Sequence, residues 1–239
     1  MTPSSTTPPG SVRERQGFFH PIPYSHTHPS FIPSIIPSHL CFLSLDPFAV
    51  THIDDLAIEA YRSFLASDIF PSSGSGASIL DLCSSWVSHY PKRYSAARVV
   101  GVGMNEAELA RNAALSEFAV RDLNKDPTLP YEAGSFDVIT NCVSVDYLSR
   151  PFEVFAEMHR VCKPGGVAVC AFSNRMFPTK AVAVWTGTGD EDHARIIGSF
   201  FHYAPADGWE KPQGKDITTR PFIGLSGDPM YVVWARKKK

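Results

Sequence analysis

The chain has 239 residues, 44% of them hydrophobic and 19% charged, which is enough apolar mass to bury one main core. Its net charge of −2, with a single basic block at residues 236–239, gives nucleic-acid binding no electrostatic footprint. No run reaches the roughly 18 to 20 apolar residues of a membrane span. The five cysteines, at 41, 83, 142, 162 and 170, show neither CxxC spacing nor an even count, so no metal site or disulfide framework is expected and a reducing compartment fits.

Residues 1–45 are rich in proline, serine and threonine and hold one acid, Glu14. A segment of this kind cannot build a packed core, and it predicts a disordered extension before a domain over residues 46–239. Poverty in acids also suits an organelle transit peptide, but such peptides are Arg-rich and only Arg13 and Arg15 occur here. The expectation is a flexible tail on a cytoplasmic protein, with organelle targeting as the other possibility.

Order is expected from Thr51, whose hydroxyl would cap a covering helix over 51–68 with Ile53, Leu56, Ala57 and Ala60 at helical spacing. A Ser/Gly linker at 71–76 leads to a strand at 77–82, a helix at 84–90 and a second strand at 98–102. Then come a helix at 105–115, a strand at 117–123, a strand at 136–142, a helix at 151–160 and a strand at 166–172. Helices at 180–185 and 191–203 follow, and strands at 216–219 and 231–235 pair as an edge hairpin. Alternation of this kind specifies an α/β fold, a doubly wound, mostly parallel seven-stranded sheet.

The run from Asp122 through Leu129-Pro130 and Ser135-Phe136-Asp137 to Lys163-Pro164-Gly165-Gly166 resembles the class I S-adenosylmethionine-dependent methyltransferases, in the branch called methyltransferase type 11. The resemblance implies a Rossmann-like sheet with S-adenosylmethionine over the carboxyl ends of the first strands, where an open α/β sheet places its ligand. It also exposes two departures. The family's first loop reads Leu-Asp-Leu-Gly-Cys-Gly, but Leu80-Asp81-Leu82 is followed here by Cys83-Ser84-Ser85-Trp86. The acid expected after the second strand, which would hold the ribose, is replaced by Gly103. An uncharacterised subgroup with Ser-Ser-Trp in this loop and Phe-Ser-Asn-Arg after the fifth strand resembles the chain at both places.

For the cofactor, the resemblance implies Asp81 organising the first loop and Asp122 with Leu123 at the adenine. Cys83, Ser84 and Ser85 stand where glycine backbone meets the methionine part, so their small side chains permit a less close approach and the hydroxyls can replace some contacts. Ser84 equally suits capping the helix after it. Asn105 can bond the ribose near Gly103 or form a capping box with Glu108, and both can hold together.

Methyl transfer asks for alignment, exclusion of water and sometimes a base. Asn141 matches a position lining the transfer site, and His89, three residues after Trp86, is the candidate base, with His52 on the covering helix as another. Tyr147 is a neighbour of the site, and Arg175 and Lys180 offer charge to an anionic acceptor. Trp185, Phe200 and Phe201 are expected in the core. The leading function is methyl transfer to a small molecule, with an inactive methyltransferase-like binding or scaffold protein as the alternative. A nicotinamide oxidoreductase is disfavoured, because Gly101-x-Gly103 lacks a third glycine and no acid follows the second strand.

Overall fold

A computed structural model of the chain describes residues 52–205, 208–220 and 227–239. The extension at 1–45 and the Thr51 cap lie outside the described residues. Seven strands form one sheet: β1 Ser78–Leu82, β2 Arg98–Gly103, β3 Glu117–Val120, β4 Phe136–Cys142, β5 Cys162–Phe172, β6 Gln213–Asp216 and β7 Tyr231–Arg236. Their order is β3-β2-β1-β4-β5-β7-β6, with the first five parallel and β7 antiparallel to both β5 and β6. The expected sheet and its edge hairpin are thus present, and the order reverses between β1 and β4, the switch point where a cleft opens.

Successive residues of a buried strand face opposite sides, and the core divides on that alternation. Leu80, Leu82, Val100, Val102, Ile139, Ala168, Cys170 and Phe172 pack on one face, while Ile79, Val138, Val167, Val169, Ala171 and Val232 pack on the other. The second face is covered by α1 Asp55–Phe64, which runs on into a π-helical turn at Leu65–Ile69. Asp54 caps this helix, its Oδ1 accepting the Ala57 amide at 2.8 Å. The first face is covered by α3 Pro151–Val161 and α5 Asp190–Tyr203. Among the described residues no helix is long and apolar enough to cross a membrane.

Several sequence expectations are corrected, among them the first strand of the edge hairpin, which is β6 Gln213–Asp216 rather than 216–219. Residues 84–90 form no helix, because the Ser84 and Ser88 hydroxyls bond the Asp81 carboxylate at 2.8 and 2.7 Å and hold the backbone in an irregular path. The next helix, α2 Glu106–Leu109, is one turn rather than three, since Asn112 turns its amide back onto the Ser85 carbonyl and the Ser88 hydroxyl. β3 ends at Val120, leaving Asp122 and Leu123 in the following turn, and α4 Ala183–Thr186 begins after the Phe177–Lys180 turn. Lys163-Pro164-Gly165-Gly166 lies inside β5 as a bulge: pairing jumps from Phe136–Cys162 to Val138–Val167, with Gly165 at φ 77°.

Gly103 ends β2 under the loop that leaves β1. The Ser84 amide donates to the Val102 carbonyl at 2.9 Å, and a Cβ on Gly103 would lie 2.2 Å from the Ser84 carbonyl oxygen. That oxygen is backbone and cannot step aside. Gly103→Ala is therefore expected to destabilise the fold by about 1–3 kcal/mol, read as a fall of several degrees in Tm; an unchanged Tm would show that the loop does not press on β2 as described.

Candidate active site

A cleft of about 360 Å³ opens at the carboxyl ends of β1, β2 and β4, a size common for small-molecule sites. The loop after β1 forms its floor. Asp81, buried at the end of β1, accepts hydrogen bonds from Ser84 (2.8 Å), Ser88 (2.7 Å) and Thr140 of β4 (2.8 Å). Since the Thr140 hydroxyl donates to Asp81, it accepts from the Tyr90 hydroxyl at 2.9 Å. Burial raises the Asp81 pKa, and the Ser88, Ser84, Thr140 and Tyr90 hydroxyls oppose that rise by stabilising the carboxylate. Ser88 accepts in turn from Asn112 at 2.9 Å, which ties the loop to the segment after α2. Ser84 caps no helix, so of its two expected roles the capping one falls.

Cys83, at the family's first glycine, holds φ 55°, and Val143 at the end of β4 holds φ 43°. Both line the cleft. A left-handed backbone is unusual for a non-glycine residue and more so for a β-branched one, and strain of this kind gathers at sites whose surroundings enforce it.

On the side of β2 and β3, Asn105 caps α2: its Oδ1 accepts from the Ala107 and Glu108 amides, while Glu108 Oε1 accepts from the Asn105 side-chain Nδ2 at 2.9 Å rather than from its backbone amide as a capping box would have it. Asn105, Gly103 and Ser85 line the cleft as well. Asp122 Oδ1 accepts the Asn124 amide at 3.0 Å. Its Oδ2 is buried without a hydrogen-bond donor; the Lys125 ammonium stands 3.4 Å away as an ion pair only. Leu123 borders the same region.

His52, Tyr61, Trp86, His89, Tyr147 and Phe177 also line the cleft. His89 and Trp86 meet here although no helix joins them. His52 packs edge-on to Phe177 at 5.6 Å, and the Phe177 amide donates to the Tyr147 hydroxyl at 3.0 Å. Arg175 lines the cleft, but its Nε pairs with Asp228 at 3.0 Å, so its charge is committed within the protein. Lys180 sits over the Phe177 ring at 4.9 Å and is not among the lining residues. Asn141 is also outside the lining: it is 2% exposed and its Nδ2 donates to the Leu82 carbonyl at 3.3 Å. Trp185 and Phe201 are buried and Phe200 half-buried against the core, as expected.

Four supporting residues were not singled out from sequence: Tyr61, Ser88, Asn112 and Thr140. Thr140 carried a signal, being a polar residue inside the buried run Val138-Ile139-Thr140 of a central strand, where its hydroxyl must find a partner. Tyr61 carried another, standing four residues after Ala57 on the apolar stripe of α1.

Residues 80–170 match the family described as a methyltransferase domain. A demethylmenaquinone methyltransferase of Lactococcus lactis is 36% identical over 105 residues, covering 40% of this chain and 41% of that protein. The chain thus spans well under half the length of the curated relative it matches. A structure described as a putative S-adenosylmethionine-dependent methyltransferase from Listeria monocytogenes superposes with a TM-score of 0.56 at 11% identity, over 78% of this chain and all of that one. The [4+2]-cyclase SpnF does so with a TM-score of 0.52 at 17% identity, over 74% of this chain and 80% of that one. At these identities the likeness is one of fold, and the fold hosts more than one chemistry.

Burial, with the neighbouring Arg62 and His52, lowers the His89 pKa to about 4. The imidazole is therefore neutral above that pH. Between about 4 and the ordinary 6.5 the unfolded chain binds the proton that the folded chain refuses, so this group makes stability rise with pH across that window and adds no slope above it. His89→Gln is expected to lessen the gain in unfolding free energy between pH 4.5 and pH 7, measured by denaturant titration; an unaltered gain would mean that His89 titrates normally.

Proposed function

We propose that this chain, which the domain at residues 80–170 places in the class I S-adenosylmethionine-dependent methyltransferase superfamily, transfers a methyl group to a small molecule bound in the cleft. The observation that carries the reading is Asp122: a buried carboxylate oxygen without a hydrogen-bond donor, facing the cleft just after β3. An unsatisfied buried acceptor costs about 1–3 kcal/mol, and the adenine amino group is the donor that would satisfy it. The floor fits the rest of such a cofactor. Gly103 lets the loop after β1 lie directly against β2, where a Cβ would meet the Ser84 carbonyl at 2.2 Å, Cys83, Ser84 and Ser85 bring small side chains to the methionine end, and Asn105 lines the ribose side while capping α2. Bound there, S-adenosylmethionine supplies an electrophilic methyl group.

The residues divide the remaining work. Asp81 fixes the loop, and Leu123 offers an apolar edge beside Asp122. His89, neutral at pH 7, takes the proton released at the acceptor, and Tyr147 sets the position of Phe177 at the cleft wall. Arg175 braces that wall through Asp228, while Asn141 holds the ends of β1 and β4 together. A small acceptor suits a cleft of this volume, and the name of the Lactococcus lactis relative points to the same broad class. Cysteines without CxxC spacing, together with an ordinary charge, suit the cytoplasm.

Saturation with S-adenosylmethionine at about 100 times its Kd is expected to stabilise the chain by roughly 2.7 kcal/mol, seen as a rise in Tm. Asp122→Ala should weaken cofactor binding by about tenfold, the loss of one charge-assisted hydrogen bond. No shift at millimolar cofactor with the unaltered chain would reject the reading.

A further inference from the structure

The cleft holds two polar atoms that the cofactor roles do not use. Tyr61 is 1% exposed, and its hydroxyl, brought to the cleft by α1, has no hydrogen-bond partner. His89 Nδ1 is likewise buried and unpartnered on the loop that faces α1. Each carries a desolvation cost that a ligand atom would relieve. One hydroxyl group relieves both, because it accepts from a phenol and donates to an imidazole nitrogen. The surrounding wall is aromatic, from Trp86, Tyr147 and Phe177, which suits a flat ring.

Charge narrows the choice further. Arg175 is spent on Asp228, Arg121 on Asp126, and Asp81 on three hydroxyls. Burial lowers the pKa of both His52 and His89, so neither offers a cation at neutral pH. Arg62, near enough to His89 to lower its pKa, pairs with Glu59 at 3.7 Å and does not line the cleft, so a carboxylate or phosphate would be stripped of water without an uncommitted cation among the lining residues.

Resting on the methyl transfer proposed above, we propose that the acceptor is an uncharged hydroxylated aromatic, its hydroxyl accepting from the Tyr61 hydroxyl and donating to His89 Nδ1. Methylation of that oxygen releases one proton, which His89 Nδ1 takes, with its other proton on Nε2, and passes to solvent. Tyr61 stays protonated and acts by position.

The test is calorimetric titration of the full chain, with and without saturating S-adenosylhomocysteine, using 2-naphthol, 2-methoxynaphthalene and 2-naphthoate. 2-Naphthol should bind at least tenfold more tightly than 2-naphthoate. Tyr61→Phe and His89→Leu should each weaken 2-naphthol by about three- to tenfold, one ordinary hydrogen bond apiece, with S-adenosylhomocysteine affinity unchanged. His89→Leu should leave 2-methoxynaphthalene, which has no proton to donate, unaffected. 2-Naphthoate binding as tightly as 2-naphthol, or 2-naphthol indifferent to both substitutions, overturns the assignment. Failure of S-adenosylhomocysteine itself to bind overturns the methyl-transfer reading instead, and the titrations without it then judge the aromatic site alone.

Discussion

Asp81 is the point on which the cleft depends. It ends the central strand β1, beside the switch point of the sheet, and it receives hydroxyls from three places: Ser84 and Ser88 on the loop that follows, and Thr140 on the neighbouring strand β4. A buried carboxylate is costly unless its lone pairs are met. Meeting them requires that the loop curl back over the strand end, so the need to solvate one charge dictates the shape of some eight residues. Tyr90 and Asn112 extend the arrangement, the first through Thr140 and the second through Ser88. A glycine-rich loop reaches a tight turn through backbone freedom; this one reaches it by side-chain hydrogen bonds.

That substitution has local costs, and they fall at the cleft. Cys83 takes the left-handed conformation a glycine would adopt freely, and Val143, across the cleft on β4, does the same. Such residues persist only where surrounding contacts overrule their preference. At Cys83 the overruling contacts are those of Asp81 and the Ser84 amide on the Val102 carbonyl; at Val143 the amide is held by the Ala171 carbonyl at 2.8 Å. Gly103 is the complementary case. The position at which the resemblance leads one to expect an acid is pressed so closely by the Ser84 carbonyl that no side chain fits. The missing acid and the altered loop are thus one change rather than two, since the path of the loop removes the space the acid would occupy.

How much of this was legible follows from where the information lies. β1, β2, β4 and β7 are short apolar runs bounded by turn residues, and a strand buried on both faces has to look like that. α3 and α5 declare themselves by apolar spacing, with Pro151 opening the first. Residues 84–90 were misread because Ser, Trp and His are tolerable in a helix, and the atoms that forbid one belong to Asp81 and, through Thr140, to a strand more than fifty residues away. Propensity is local, and this constraint is not. The same reason hid the short α2, which Asn112 interrupts by reaching back across the cleft floor. Asp122 was legible because its neighbours form a distinctive run, whereas Tyr61 was hidden among the apolar residues of a helix whose only apparent task was to cover the sheet.

Tyr61 shows why covering and function need not be separate tasks. Its ring packs in the core of the second face, so the position must be large and apolar whatever the protein does. A phenylalanine would serve that purpose without bringing a buried hydroxyl that burial also makes harder to ionise. Keeping the oxygen carries a desolvation cost that the fold alone does not recover, since no protein group within reach bonds it. His89 presents the same imbalance on the facing loop, with a ring nitrogen that the packing leaves unmet. Two uncompensated polar atoms lining one cleft make sense together if a third group completes them. On the proposed reading Asp122, with its own unpartnered oxygen, leaves the cofactor's half of the cleft incomplete in the same manner.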